Sequence, residues 1–379
     1  MRRAVKLFSD RLSNLSERVP KPNVVICAIP QELIDYCGTK GKTELRAKLT
    51  PKERKLKTKL KEYKDSGQQL LAPIDEADVG LADSIPEVSD FRRLLKAEAI
   101  QIGLPVQLAR PSTFSDKEAI GLQDPATRAW NFFAALFYKG GGYPWRMSDA
   151  KIGTCYLGIS FYKQRRGNLR TSLAQVFTHT GAGLVLRGQR IEWDPRRSKT
   201  PHLTEDTAFT LLTDALELYK RQMNQQLPQR LALHKSSQFW KEELEGFRRA
   251  CGRISQVDFV AFGQRGVRFL RRGSYPPLRG TTIELSSRNY LIYTKGYVPF
   301  YATYPGLRIP SPLEVLEHIG DSDMTTICKE ILALTKMNWN NTDYSIREPI
   351  TLQFSREVGK ILSHLSEEVI PRPQYYYYM

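Results

Sequence analysis

Cysteine is scarce in this 379-residue chain: Cys27, Cys37, Cys155, Cys251 and Cys328 are odd in number, widely scattered and never paired as C-x-x-C. That excludes a disulfide framework and a cysteine-built zinc site, and predicts reduced, mostly buried thiols. Histidine is equally rare, with five residues and no H-E-x-x-H pair. Neither a G-x-S-x-G elbow nor a G-x-x-x-x-G-K-S/T loop is present, which removes serine-hydrolase and P-loop chemistry. Apolar runs of the roughly 18 to 20 residues that a membrane span needs are also missing. Acids are in deficit, 40 against 57 lysines and arginines, and the net charge is +17. A surplus of that size makes a field that draws polyanions, nucleic acid first among them.

Against those absences, the elements are readable. "MRRAVKLFSDRLSNLSERVP" alternates bases and leucines with Asp10, Glu17 and serines, so it reads as an amphipathic helix over residues 4–18 and not as a cleaved signal. The expected location is the cytoplasm. "NVVICAIP" reads as a short buried strand, which makes an α/β layer. From Lys40 to Lys64 eleven bases stand against three acids, and from Asp75 to Asp90 six acids stand with no base; both read as solvated charge. "FRRLLKAEAIQIGLPVQLARP" gives a helix, a Gly-Leu-Pro break and a strand holding Gln107. The helix "PATRAWNFFAALFYK" opens with Pro125 and stops at Gly140 to Gly142. A domain boundary is expected there, near residue 145.

The second half has a regular order. Strands "TCYLGISFYK", "TSLAQVFTH" and "GLVLRG" precede a helix from Thr204 to about Gln225, the strand "RLALH", the helix "FWKEELEGFRRAC" and the strand "VDFVAFG". Three strands, helix, strand, helix, strand is the order of the ribonuclease-H-like fold. A hairpin around Ser286 to Asn289 and helices near Asp323 to Lys336 and Ser355 to Glu368 follow.

A nuclease of that fold holds divalent metal with a carboxylate on the first strand and another at the end of the fourth. Here Ser160 stands in the first position, and the fourth strand ends His234, Lys235, Ser236, Ser237, without an acid. Glu192, Asp194 and Asp343 are the acids that could approach in space. His234 reads as a hydrogen-bonded structural histidine or a nucleic-acid contact. In the first half Arg92 and Lys96, four apart, share one helix face. Gln107 begins the next element, and Lys139 ends the helix before "GGGYPWRM". These four donors could meet around one phosphate, arginine through its fork and lysine as a point charge; separate surface charges are the alternative.

Several segments, in this order, resemble the MID and PIWI domains of short prokaryotic Argonautes: "WNFFAALFYKGGGYPWRM", "CYLGISFYK", "LALHKSS" with "FWKEELEGF", "YLIYTKGYVPFYATYPGLRIPSPLEV" and "EILALTKMNWNNTDYSIREPITLQFSREVGKIL". The likeness runs from about residue 20 to the end. It implies an α/β chain with a Rossmann-like MID domain over 1–145, carrying a charged insertion near 40–90, and a ribonuclease-H-like PIWI domain over 146–379. More α/β structure is expected before "NVVICAIP" than the single helix found there, so the MID domain is expected to lack a strand at its start. The resemblance assigns Arg92, Lys96, Gln107 and Lys139 to the 5′ phosphate of a guide strand, with a structural Mg2+ held by Gln107 and the terminal carboxylate of Met379. It places Ser160 and Ser236 at two positions of the catalytic acids and so implies no slicing. The implied partners are a guide RNA, a target single-stranded DNA, and an effector protein carrying an Argonaute-PAZ-like segment fused to a Sir2, TIR or nuclease domain. The implied role is activation of that effector in defence against plasmids or phages. The alternatives are an active metal-dependent guide-directed nuclease and a basic nucleic-acid-binding protein that needs no guide.

Overall fold

The computed structural model describes residues 1–37, 91–115, 123–148, 151–163, 169–176, 183–193, 200–264, 266–271, 276–304, 309–339 and 346–379. The charge runs at Lys40 to Lys64 and Asp75 to Asp90, and the acids Asp194 and Asp343, lie outside them.

Helix α1 (Arg2–Ser16), strand β1 (Val25–Ala28), helix α2 (Gln31–Cys37), helix α3 (Phe91–Ile102) and strand β2 (Val106–Ala109) form the first layer. β1 and β2 are parallel, Ile26 opposite Gln107 and Cys27 opposite Leu108. A parallel pair must be joined by a crossover, and α3 returns the chain to β2. Val5 and Leu12 of α1 pack with Cys27, Phe91, Leu95 and Val106 in a small apolar core. The single turn α4 (Pro111–Phe114) and helix α5 (Pro125–Lys139) follow. Asp124 caps α5 by accepting from Thr127 N at 2.9 Å, and Pro125 costs nothing at a position whose N–H has no helical partner. The helix ends as expected: Gly141 has φ +99, a region closed to most side chains, and Gly142 N returns to Phe137 O at 2.9 Å.

The second half is an eight-stranded mixed sheet with the order β5-β4-β3-β6-β7-β10-β9-β8. β3 (Thr154–Lys163), β4 (Leu169–Val176) and β5 (Gly183–Ile191) form an antiparallel meander. β3 is parallel to β6 (Arg230–Lys235), and β6 to β7 (Gln256–Gln264). Helices α6 (Glu205–Gln222) and α7 (Lys241–Cys251) make those crossovers and cover one face. This is the ribonuclease-H-like order read from the sequence. Beyond β7 the sheet continues through β8 (Thr282–Ser286), β9 (Asn289–Ile292) and β10 (Leu313–Gly320). β8 and β9 form the expected hairpin, with Ser286 opposite Asn289.

Helices α8 (Met324–Leu334) and α9 (Ile350–Leu362) cover the opposite face. α9 begins five residues earlier than expected, because Pro349, at φ −58 and ψ 144, sets its start, and it ends six residues earlier. Its N-terminus sits hard on the sheet: a Cβ added at Gly158 would lie 2.2 Å from Thr351 O. One apolar cluster draws on both halves of the chain, joining Ala97, Ile100, Ala135 and Tyr138 to Trp339, Phe354 and the terminal Tyr375, Tyr377, Tyr378 and Met379.

Candidate nucleic-acid interface

Two places bear on function, and the first is built where α3, β2 and α5 converge. Lys139, the last residue of α5, is 4% exposed. Its ammonium donates to Gln107 Oε1, so the buried charge has a partner as it must. Gln107 Nε2 donates in turn to Leu108 O at 3.3 Å. Burial pushes the Lys139 pKa down to about 7, with Arg92 adding to the fall and Cys27 opposing it. The Cys27 thiol is pushed up to about 11 by burial, against the pull of Lys139. Lys139 and Gln107 are therefore joined by a hydrogen bond, and Arg92 lies close enough for its charge to repel that of Lys139. Lys96 lies one helical turn beyond Arg92 and is 1% exposed.

Two neighbours escaped the sequence reading. Cys27 meets Lys139 only because β1 and β2 pair across about eighty residues. Glu357 of α9 lies among bases: burial raises its pKa, but Lys360, Arg92 and Arg93 outweigh that and hold it below the ordinary carboxylate value. Arg93 is lowered by burial and raised by Glu357. An acidic residue surrounded by bases was the available signal, but only contact between α3 and α9 reveals it.

The chain's end docks nearby. Tyr375 stacks on Phe354 with centroids 3.7 Å apart, Val185 N donates to Pro373 O at 2.6 Å, and Tyr378 Oη donates to Arg372 O at 2.8 Å. Met379, 2% exposed, shares a cluster with Ala97 and Ile100, one and four residues after Lys96 on the same helix. The tyrosines thus serve as packing groups whatever the terminal carboxylate does. As a metal site the donor set does not fit. Its amide oxygen is already taken by an ammonium, and bases surround it. Charge and donors there fit an anion.

The second place is one end of the large sheet. Ile159 lies opposite Lys235 on parallel strands, so Ser160 and Ser236, each the next residue, stand side by side where β6 ends, three residues before the end of β3. Ser160 is buried and Ser236 half-buried. Two hydroxyls at this spot are weaker ligands for a divalent ion than carboxylates would be. Flanking groups are committed elsewhere. Lys235, buried, bonds both oxygens of Glu243 at 2.7 and 2.6 Å, and Glu243 also receives Leu203 N at 2.8 Å and Trp240 N at 2.9 Å. His234 Nδ1 meets Thr351 Oγ1 at 2.8 Å. Its pKa falls to about 3 through burial and Arg230, against Asp258, so the ring is neutral, structural and no general base near neutral pH. Asp258 is held by Arg230, His318 and Ser322. Glu192 is exposed just past β5, at this same end of the sheet.

Among the solved structures that share this fold are two Argonautes. The Argonaute of Clostridium butyricum, determined with a guide DNA bearing a 5′ deoxycytidine and a 19-mer target DNA, aligns at TM-score 0.66 and 16% identity over 98% of this chain and 41% of that one. The A. aeolicus Argonaute aligns at TM-score 0.55 and 16% identity over 98% of this chain and 52% of that one. No protein-family model matches the chain, and no curated protein does. The chain thus shares the fold of these two Argonautes, and its large mixed sheet has the ribonuclease-H-like order. It spans about half or less of the length of those two proteins.

Proposed function

We propose that this chain is a guide-dependent nucleic-acid recognition protein of the short Argonaute kind, with a MID domain over residues 1–145 and a PIWI domain over 146–379. A guide RNA enters with its 5′ phosphate between Arg92, Lys96, Gln107 and Lys139, and a target single-stranded DNA pairs with it. The observation that carries this is Lys139: a buried cation bonded to Gln107 and facing Arg92, in a setting that favours an incoming anion. A phosphate would exchange the weak amide contact for charge-assisted bonds, which contribute about 1.5 to 3 kcal/mol each. Sequence selection would come from base pairing while bases hold the two backbones.

In this reading Ser160 and Ser236 leave the ribonuclease-H-like unit without slicing chemistry. The output is passed to an effector protein with an Argonaute-PAZ-like segment fused to a Sir2, TIR or nuclease domain, in the cytoplasm, as defence against plasmids or phages. Purifying the chain from its host and sequencing the nucleic acid it carries tests the whole scheme. Short RNAs with 5′ phosphates beside a co-purifying effector are expected; random nucleic acid without end preference would contradict it. A second reading, metal-dependent cleavage, draws on the exposed Glu192 at the same sheet end. It predicts cleavage of a paired target with manganese, abolished by Glu192→Gln.

A further inference from the structure

The three strands β7, β9 and β10 bring another group of residues to the sheet end that carries Ser160 and Ser236. Leu313 opens β10 opposite both Gln264 and Ile292, so the segments leaving β7 and β9 emerge at that end. Strands lie about 4.8 Å apart, which sets β9 three spacings, about 14 Å sideways, from β6, the strand that leads into Ser236. It is held rigidly: Tyr293 N donates to Thr281 O at 2.8 Å, Tyr297 N to Pro277 O at 2.8 Å, and Arg279 N to Tyr297 O at 3.0 Å. At Gly296 a Cβ would lie 2.5 Å from Pro277 O, so only glycine lets the two segments approach.

From this frame projects a tight turn, Pro299–Tyr301, closed by Val298 N to Thr303 O at 2.9 Å. Ala302 takes φ 48 and ψ 30, the left-handed region that an L-residue enters only when its surroundings force it. What the turn presents is two aromatic rings in water: Phe300 is 88% exposed and Tyr301 50%, with centroids 5.1 Å apart. Single exposed apolar side chains need no explanation, but adjacent rings held out on a strained, fixed turn do. Bases flank the segment that leads into the turn. Arg271 lies over the Tyr297 ring at 5.4 Å, Arg268 is close enough to Tyr293 to lower its hydroxyl pKa against the larger effect of burial, and Lys295 is half-buried beside Gly296.

We propose that Phe300 and Tyr301 form a base-stacking platform for an unpaired stretch of a bound nucleic-acid strand, whose phosphates are met by Arg268, Arg271 and Lys295. Rings accept any base by its π-face while neighbouring cations follow the backbone, the recurring construction of single-strand binding sites. The proposal deepens the nucleic-acid reading above but does not depend on the 5′-phosphate pocket.

The test uses the full chain and oligonucleotides carrying 2-aminopurine at successive positions, placed in the guide in one series and in the target in another. In the native protein one or two adjacent positions are expected to be quenched, and the series that shows it identifies the strand. Phe300→Ala with Tyr301→Ala should abolish the quenching and weaken binding about tenfold or more, with thermal stability unchanged because both rings are exposed. Phe300→Trp should retain both signals. Arg268→Ala with Lys295→Ala should instead flatten the salt dependence. Undiminished quenching and affinity in the double aromatic variant would overturn the platform. Because the preference for 5′-phosphate over 5′-hydroxyl ends is read on the same variants, a failure of the guide pocket is seen separately.

Discussion

Lys139 is held at the end of a helix, out of water, beside another cation, and that is a costly place for a charge. Its pKa near 7 leaves it only part-protonated at neutral pH. In the unfolded chain the same lysine stays protonated up to about 10.5, so the unfolded state binds more protons between 7 and 10.5 and stability rises with pH across that window. Binding runs the other way. A phosphate beside Lys139 favours the charged form, so association takes up a proton above pH 7 and affinity for a 5′-phosphorylated strand should fall from pH 7 to 9. Titrations at those two pH values check this, with a 5′-hydroxyl strand showing little change and Lys139→Gln removing the dependence. Lys139→Ala and Lys96→Ala should each weaken 5′-phosphate binding by about 1.5 to 3 kcal/mol. Since the donor set suits an anion, EDTA should leave the phosphate preference intact; its loss on chelation would show a bound divalent ion to be required.

At the scale of elements, one buried ion pair ties α7 to β6 beside the apolar cluster that Phe247 shares with Leu231 and Leu233. Glu243→Ala would leave the Lys235 ammonium uncompensated in the core, and a loss of about 3 to 5 kcal/mol is expected by chemical denaturation. Here the sequence was only partly readable. The strands β3 to β7 showed themselves through apolar runs broken by turns, and α5 through Pro125 and its closing glycines, all local signals. β10 escaped as a named strand, since "LEVLEHIG" mixes charge with apolar residues; its pairing with β7 and β9 makes it a strand. The candidate site divides the same way. Arg92 and Lys96 share a helix face by simple periodicity, but the bond from Lys139 to Gln107 and the approach of Cys27 and Glu357 come from pairing between distant segments.

For the whole molecule, the terminal tyrosines tie the two halves into one core, since Tyr375 and Tyr377 pack with Ala97 and Tyr138 as well as Phe354. Deleting the last five residues should therefore lower the melting temperature, as well as disturb the helix that carries Lys96. The net charge of +17 sets the other global behaviour: nucleic-acid affinity should fall steeply as salt rises from 50 to 200 mM, with a linear slope of log K against log salt concentration. That slope reports backbone contacts of every kind, whereas the pocket is read by the end group alone. The deciding measurement is a competition at fixed salt between two RNAs of one sequence, one with a 5′ phosphate and one with a 5′ hydroxyl. A preference of tenfold or more for the phosphate, lost in the Lys96→Ala, Lys139→Ala variant, is the predicted result; equal affinity for the two ends would contradict the pocket and leave only a basic protein of Argonaute fold.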